Sequence, residues 1–417
     1  MKGMFVVLDG VADNSCSVLN GKTPLEFAKT PNLDEIASFS KIHHCYTVGE
    51  GLAPESSSAV LSLLGYPSGA AARGILEAVG AGIPLKDGDL ALRVNFATID
   101  DLKDGNILDP RAGRTLSTKE AKILADAVNR NLKMPYKFEL YPTVQHRGVL
   151  VFRGGFSDNV SNANPFYGEG IAKAVINPKM VYSQALDEED DSKLSAELIN
   201  NFIRKSHEIL DKHPINVMRA KKGFYAANII LCRDAGNSPA KLKKIRGKWV
   251  ALGYMPLEKG IARMTGMEVY KFKYPEFKGI DAYEHLYSGL RKAIKAAIRM
   301  IKSNGKRCDY LYIHIKETDI PGHDNKPLEK VRMIELIDKK LFSFVKKFIK
   351  KYPSKLIVTA DHTTSCKLKG HTADAVPVLV YHPNSSESLP KRFIESEGMR
   401  GKKILGKKLL ETEMFEK

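Results

Sequence analysis

No two of the five cysteines in this 417-residue chain form a CxxC pair. Their number is odd: Cys16, Cys45, Cys232, Cys308 and Cys366. That usage offers neither a thiolate zinc site nor a disulfide framework, and a reducing, cytoplasmic setting is expected. Long hydrophobic runs are missing as well. The apolar stretches are strand-length, well short of the roughly 20 residues of a membrane span. The opening segment, MKGMFVVLDG, carries one lysine and a very short apolar run that stops at Asp9, which does not read as a signal peptide. Zinc-finger, helix-turn-helix and RNA-binding aromatic signatures are lacking, so neither nucleic acid nor membrane is the expected partner.

What the chain has in excess is positive charge, +17 in all. Nucleic acid, a cleft for an anionic metabolite and a solvated lysine-rich surface are the three uses of such an excess. The charge is dispersed, which favours the solvated surface. The length exceeds what one hydrophobic core usually organises, so two domains are expected.

The runs at 3–8, 309–315, 355–360 and 376–381 are almost continuously apolar, as fully buried parallel strands are. Helical patterns lie between them. One begins at Thr30–Pro31, with Thr30 as the expected cap. A second, 290–307, sets Leu290, Ile294, Ala297, Ile298 and Ile301 on one face and basic residues on the other. A third covers 326–351. Strands alternating with helices imply a doubly wound α/β sheet. From 70 to 235 the pattern changes to shorter strand-like pieces, Gly-rich turns and the acidic stretch LDEEDDSK. The expected organisation is a core of 1–70 plus 236–417, with a smaller α/β (α+β) domain inserted at 71–235.

Candidate metal ligands sit at the ends of the apolar strands. Asp9 closes the first, Asp319 and His323 follow the 309–315 run, Asp361 and His362 follow 355–360, and His371 precedes 376–381. Ligands bind outside the carboxyl ends of strands in open parallel sheets. Each piece alone has an ordinary reading. Asp319 and His323 converge if their segment turns helically, whereas Pro321 and Gly322 argue for a tight loop. Asp361–His362 alone reads as a capped helix start. The set changes the balance. Oxygen and nitrogen donors without thiolate suit Mn²⁺, Co²⁺, Zn²⁺ or Mg²⁺. Six such groups are too many for one catalytic ion and suit two, which can clamp both oxygens of a phosphoryl transfer. The candidate nucleophiles are Ser56, Ser57 and Ser58 in APESSSAVLSLL, ahead of a short helix whose N-terminus favours an alkoxide or phosphate. Arg73, Arg93, Arg111, Arg114, Arg147 and Arg233, with His146, are candidates for holding an anionic substrate.

Long motifs in order carry a family resemblance: LDG (8–10), GKTPLEFAKTPNLD (21–34), LLGYPSG (63–69), RGILEAVGAGI (73–83), RVNFATID (93–100), DPRAGR (109–114), KGIARMTGMEV (259–269), TDIPGHD (318–324) and TADHTTSCKLKGHTADAVPVL (359–379). Through these the chain resembles the archaeal-type cofactor-independent phosphoglycerate mutases of the alkaline phosphatase superfamily. The resemblance implies an alkaline-phosphatase-like core and two divalent ions, with no 2,3-bisphosphoglycerate as cofactor. One ion would lie at Asp9, Ser56, Asp361 and His362, the other at Asp319, His323 and His371. Ser56 would carry the phosphoryl group between the two hydroxyls of a phosphoglycerate. Asp109 and the arginines would bind substrate, and Lys259 would stabilise the transferring charge. A homo-oligomer is compatible with this reading. The chain departs from the family pattern at Ser57, Val60, Pro110 and Asn164, where an acid, a histidine, an arginine and an aspartate are usual. A metal-dependent hydrolase or other phosphomutase on the same core, and a basic binding paralogue with weakened catalysis, are the rival readings.

Overall fold

All four apolar runs are strands of one eight-stranded sheet: Gly3–Leu8, Tyr310–Ile315, Lys355–Thr359 and Val376–Tyr381. The computed structural model describes the chain except for residues 168–174, 176, 239–241, 277–280, 386–387 and 417. Across the sheet the order is Lys403–Leu405, Ser40–Tyr46, Val376–Tyr381, Lys355–Thr359, Gly3–Leu8, Tyr310–Ile315, Trp249–Leu252 and Glu268–Val269. Gly3–Leu8 lies between two parallel neighbours and is buried along its whole length. The expectation of parallel pairing fails at Val376–Tyr381, which runs antiparallel to both neighbours. The segment leading into it forms only a small hairpin, Thr363–Ser365 with Gly370–Thr372. An antiparallel return needs no crossover helix, whereas a parallel one does.

The steps from Gly3–Leu8 to Ser40–Tyr46, from Trp249–Leu252 to Tyr310–Ile315, and on to Lys355–Thr359 all move the same way across the sheet. Right-handed crossovers then put the intervening helices on one face. The helices Pro31–Ser38, Ala282–Asn304 and Pro327–Ile337, the last continuing to Lys351, do pack on one another. Thr30 precedes the first of these but does not cap it, because its hydroxyl donates to Asp34 Oδ1 (3.0 Å). The cap comes from far along the chain. The buried Asp338 carboxylate accepts the backbone N–H groups of Leu33 (2.7 Å) and Asn32 (3.3 Å). An anion at a helix N-terminus satisfies orphan donors and the dipole together, and a distant carboxylate serves as well as a local hydroxyl.

The middle region forms a separate antiparallel sheet. Leu90–Ile99 is its centre, paired with Arg147–Phe152 and Ile229–Gly236, and Phe138–Pro142 pairs outside Arg147–Phe152. Ile107–Asp109 pairs with the far end of Leu90–Ile99. Helices Thr118–Asn131 and Asp190–Asp211 cover it over a cluster that includes Phe152 and Phe202. The acidic stretch seen in the sequence opens the second helix, where Asp190 and Asp191 face the positive end of its dipole.

The helix Arg73–Ala81 joins the two sheets. It packs on Leu90–Ile99 and Ile229–Gly236 on one side and on the helix Pro256–Met264 on the other. The two helices approach so closely that a Cβ at Gly80 would strike the Pro256 carbonyl, and one at Gly260 the Leu76 carbonyl. Glycine is required there for space. Gly260→Ala is therefore expected to destabilise the protein by about 1–3 kcal/mol through forced separation of the helices, measured as a shift in urea midpoint at unchanged slope.

Candidate metal and substrate site

The strand ends deliver their side chains to one place. Asp9 follows Gly3–Leu8 directly and is fully buried, as is Asp361 two residues after Lys355–Thr359. Asp319 and His323 lie on a single helical turn, Asp319–His323, and His371 sits in the small hairpin. The helical option for Asp319–His323 is the one adopted, and no helix starts at Asp361–His362. Backbone freedom makes this convergence possible. Gly10 has φ +54°, and a Cβ there would run into Thr364 Oγ1 and stand 2.8 Å from Asp319 Oδ1. Its N–H donates instead to Asp361 Oδ1 (3.0 Å).

Two groups result. His362 Nε2 stands 3.1 Å from Ser56 Oγ, 3.2 Å from Asp361 Oδ2 and 3.5 Å from Asp9 Oδ1. Asp319 Oδ1 stands 3.4 Å from His323 Nε2 and 3.7 Å from His371 Nε2. The groups adjoin, with the His362 and His371 rings stacked at 3.6 Å. Ser56 opens the helix Ser56–Leu63, so its hydroxyl meets the site beside free backbone N–H groups.

Hydrogen bonds outside the groups set the histidine tautomers. His323 Nδ1–H donates to the Lys369 carbonyl (3.0 Å) and His371 Nδ1–H to the Pro54 carbonyl (2.8 Å). Thr364 Oγ1 donates its only proton to Asp319 Oδ1 (2.8 Å), so it accepts from His362 Nδ1–H (2.9 Å). All three Nε2 atoms thus turn lone pairs toward the carboxylates, the arrangement of metal-ligating histidines. Asp9 Oδ1 and Asp361 Oδ2 are buried with no hydrogen-bond partner among the described residues. Acceptors outnumber protons here, and these residues fit divalent cations. Burial opposes charge on Asp361 and Asp319, and positive charge on the facing imidazoles, His362 for the first and His323 and His371 for the second, counters it and draws both carboxyls well below the usual range, a role that a bound cation would fill with the imidazoles neutral.

The cleft beyond the metal groups is lined by Ser56, Arg73, Arg93, Arg111, His146, Arg147 and Arg233. Buried carboxylates space the arginines. Glu55 Oε2 pairs with Arg73 (3.0 Å) and Arg233 (3.3 Å), and Glu77 Oε1 with Arg93 (2.7 Å) and Arg73 (3.3 Å). Burial raises the Glu55 pKa, but Arg233 and Arg73 outweigh it and bring it down to about 2. The potential left over is positive. Burial pushes the Tyr167 phenol up, and Arg233, Arg111 and Arg93 bring it down to about 7. Arg233 also stacks on that ring at 3.5 Å.

Not every candidate faces the cleft. Asp109 accepts the N–H groups of Arg111 and Gly113 (both 2.7 Å) and so shapes the turn that presents Arg111. Arg114 pairs with Asp324 (2.7 Å) and ties the middle region to the metal loops. Lys259 lines an adjoining pocket with Thr118 and Arg263. The cation beside the metal groups is Lys316, which the sequence reading passed over. Its Nζ contacts Asp9 Oδ2, lies 3.2 Å from Glu258 Oε1, and lines the cleft. His314, also passed over, holds Asp9 Oδ2 through Nε2 (3.0 Å). Both lie in HIKETD just before Asp319, and that proximity was the available signal. Of the departures, Val60 is buried in the core and Ser57 faces a neighbouring pocket. Asn164 is buried and its Oδ1 accepts the Phe166 N–H (3.2 Å).

A buried ion pair supports the metal loops from behind. Lys330 Nζ, fully buried, donates to Asp13 Oδ2 (2.8 Å), the Thr364 carbonyl (2.8 Å) and the Ala12 carbonyl (3.1 Å). Asp13 Oδ1 accepts the Cys366 N–H (2.9 Å). Next to it, Glu395 accepts from the Asp13 N–H (3.0 Å) and the Thr23 hydroxyl (2.8 Å), and burial pushes its pKa up to about 7.

Carboxylate and imidazole groups around a serine, facing an arginine cleft, fit divalent cations and an anionic ligand. Residues 37–216 match the family described as 2,3-bisphosphoglycerate-independent phosphoglycerate mutase. The chain is 36% identical to the protein of that name from Thermococcus kodakarensis, over 96% of this chain and 93% of the relative. A solved structure of a Pyrococcus horikoshii protein has TM-score 0.75 and 28% identity, covering 99% of this chain and 96% of that one. A cofactor-independent phosphoglycerate mutase from Thermoplasma acidophilum has TM-score 0.55 and 27% identity, covering 99% and 98%. The chain belongs to the 2,3-bisphosphoglycerate-independent phosphoglycerate mutase family and is an enzyme of the isomerase class.

Replacing Lys330 by Met leaves Asp13 buried without its cation, and a loss of about 3–5 kcal/mol is expected in chemical denaturation. Glu395 gives a pH signature. Its folded pKa, about 7, exceeds the ordinary 4.5, so its contribution is full below 4.5 and lost as pH rises toward 7. Glu395→Gln removes that loss. Compared with wild type, the variant is expected to gain up to about 3 kcal/mol between pH 4.5 and pH 8, read from denaturation curves at both values.

Proposed function

We propose that this protein interconverts 3-phosphoglycerate and 2-phosphoglycerate in the cytoplasm, without 2,3-bisphosphoglycerate, through a phosphoserine on Ser56. The observation that carries the reading is the placement of Ser56 Oγ, at a helix N-terminus and 3.1 Å from His362 Nε2, between the metal groups and the arginine cleft. Asp9, Ser56, Asp361 and His362 would hold one divalent ion, and Asp319, His323 and His371 the other. When bound, such ions lower the pKa of a nearby hydroxyl and neutralise charge on a transferring phosphoryl group.

The chain's own residues do the rest. Ser56 Oγ loses its proton and bonds to phosphorus as the bond to the C3 oxygen of the substrate breaks. That oxygen takes up a proton, leaving glycerate beside phosphoserine. Arg73, Arg93, Arg111, Arg147 and Arg233 hold the carboxylate and phosphate, bidentately where geometry allows. Lys316 supports the transferring charge from the side of Asp9. The glycerate turns within the cleft, its C2 hydroxyl gives up its proton and its oxygen bonds to phosphorus as the bond to Ser56 Oγ breaks, and Ser56 Oγ takes up a proton. The middle region, about 71–235, acts as the substrate-binding domain, and enclosure of the cleft keeps water from the phosphoserine.

An assay coupled to enolase, run without 2,3-bisphosphoglycerate, tests this reading. Chelator-treated protein is expected to regain activity with Mn²⁺, Co²⁺, Zn²⁺ or Mg²⁺. Ser56→Ala is expected to lose at least about 10³-fold in kcat, and wild type to show phosphate on Ser56 by peptide mass spectrometry. Full activity in Ser56→Ala excludes the nucleophile. Phosphate release without 2-phosphoglycerate assigns a hydrolase instead.

A further inference from the structure

A second pocket lies at the opposite edge of the large sheet. It has a volume of about 590 Å³, within the roughly 300–1,000 Å³ of small-molecule sites. Met1, Gly305 and Pro353, which line it, precede the strands Gly3–Leu8, Tyr310–Ile315 and Lys355–Thr359, whereas the metal groups follow them. Phe344, Phe348 and Tyr352 give it an aromatic wall. Their rings succeed one another along one helix face, with centroids 6.0 and 5.0 Å apart. Tyr352 is 42% exposed. A side chain at Gly305 would press on Phe348 Cζ at 3.1 Å, so the glycine leaves room for that ring.

Four lysines ring the aromatic wall: Lys302 and Lys306 from one helix and its end, Lys347 and Lys351 from the other. Among the described residues no carboxylate lines the pocket and none of the four forms an ion pair. Their neighbours Lys346 and Lys350 do pair, both with Glu35. Lysines spaced four apart repel one another on a helix, as Lys347 and Lys351 do. Lys302 and Lys306 face the same cavity, and an anion would relieve the repulsion among the four. Lys302 Nζ lies 5.4 Å from the Phe344 ring and Lys351 Nζ 5.5 Å from the Tyr352 ring, so charge and aromatic surface are interleaved.

We propose that this pocket binds a small planar organic anion of nucleotide type, its ring system against Phe344, Phe348 and Tyr352 and its phosphates among Lys302, Lys306, Lys347 and Lys351. Aromatic stacking recognises any base, and the lysines supply phosphate contacts. The site is separate from the arginine cleft and does not rest on the reaction assigned to it.

ATP is the probe, titrated calorimetrically into the full chain in EDTA, with and without saturating 3-phosphoglycerate. Binding is expected in both conditions. The exposed-residue variant Lys347→Glu/Lys351→Glu should weaken it at least tenfold and Tyr352→Ala about tenfold, in line with the stacking contribution per base, with mutase activity unchanged in both. Tripolyphosphate and adenosine should each bind at least tenfold more weakly than ATP. The proposal is overturned by no binding at millimolar ATP, displacement by 3-phosphoglycerate, indifference to the lysine variant, or tripolyphosphate binding as well as ATP. Displacement of ATP by a short single-stranded oligonucleotide that binds tenfold tighter also overturns it, in favour of a nucleic-acid surface.

Discussion

The ion pair of Lys330 and Asp13 is the constraint on which the metal groups depend. Three loops meet at the sheet edge, and each carries buried backbone that water does not reach. Lys330 supplies three donors to that space, and Asp13 and two carbonyls accept them. Asp13 in turn holds the backbone at Cys366. The loop after Gly3–Leu8 and the loop after Lys355–Thr359 are thereby fastened to one helix. Burying a charge is costly, and it is tolerated where every lone pair and proton is matched. Directly in front of this matched pair lie the unmatched atoms, Asp9 Oδ1 and Asp361 Oδ2. Satisfaction behind and deficit in front is how a fold holds carboxylates ready for a cation.

The arginine cleft follows the same logic with opposite sign. Arginines cannot be gathered in a buried space without anions between them, and Glu55 and Glu77 fill that role. Each carboxylate serves two arginines, so guanidinium groups remain for a ligand. The phenol of Tyr167, brought down to about 7, registers the surplus. The helix Arg73–Ala81 carries both Arg73 and Glu77 and is wedged between the two sheets by close contacts at Gly80 and Gly260. Packing of the two sheets and placement of the cleft charges are one structural fact.

Much of this was legible in the chain. Buried strands have near-continuous apolar runs, so 3–8, 309–315, 355–360 and 376–381 were visible, and so were the acids and histidines at their ends. Their pairing directions were not. Val376–Tyr381 is as apolar as its neighbours, and only the absence of a crossover helix before it separates antiparallel from parallel. Thr30 looked like a cap by local rules, yet the capping carboxylate, Asp338, lies in another helix. Lys259 drew attention through its motif, whereas Lys316, one residue past the strand Tyr310–Ile315 that neighbours Gly3–Leu8, stands against the metal groups. Choosing between two lysines needs the distance to Asp9, and that distance is set by strand order.

Residue type and spacing by themselves determined an α/β chain with oxygen and nitrogen ligands at strand ends, a serine opening a helix, and arginines set beside glycines. Those are local properties, written in periodicity and side-chain chemistry. Tertiary structure alone decided that His362, His371 and His323 present Nε2, that Asp13 is matched while Asp9 Oδ1 is not, and that four lysines with no ion pair among the described residues surround one aromatic wall. Each of these depends on partners far apart in the chain. Hydrogen-bond direction and charge pairing are properties of contacts, and contacts exist only once the chain has folded.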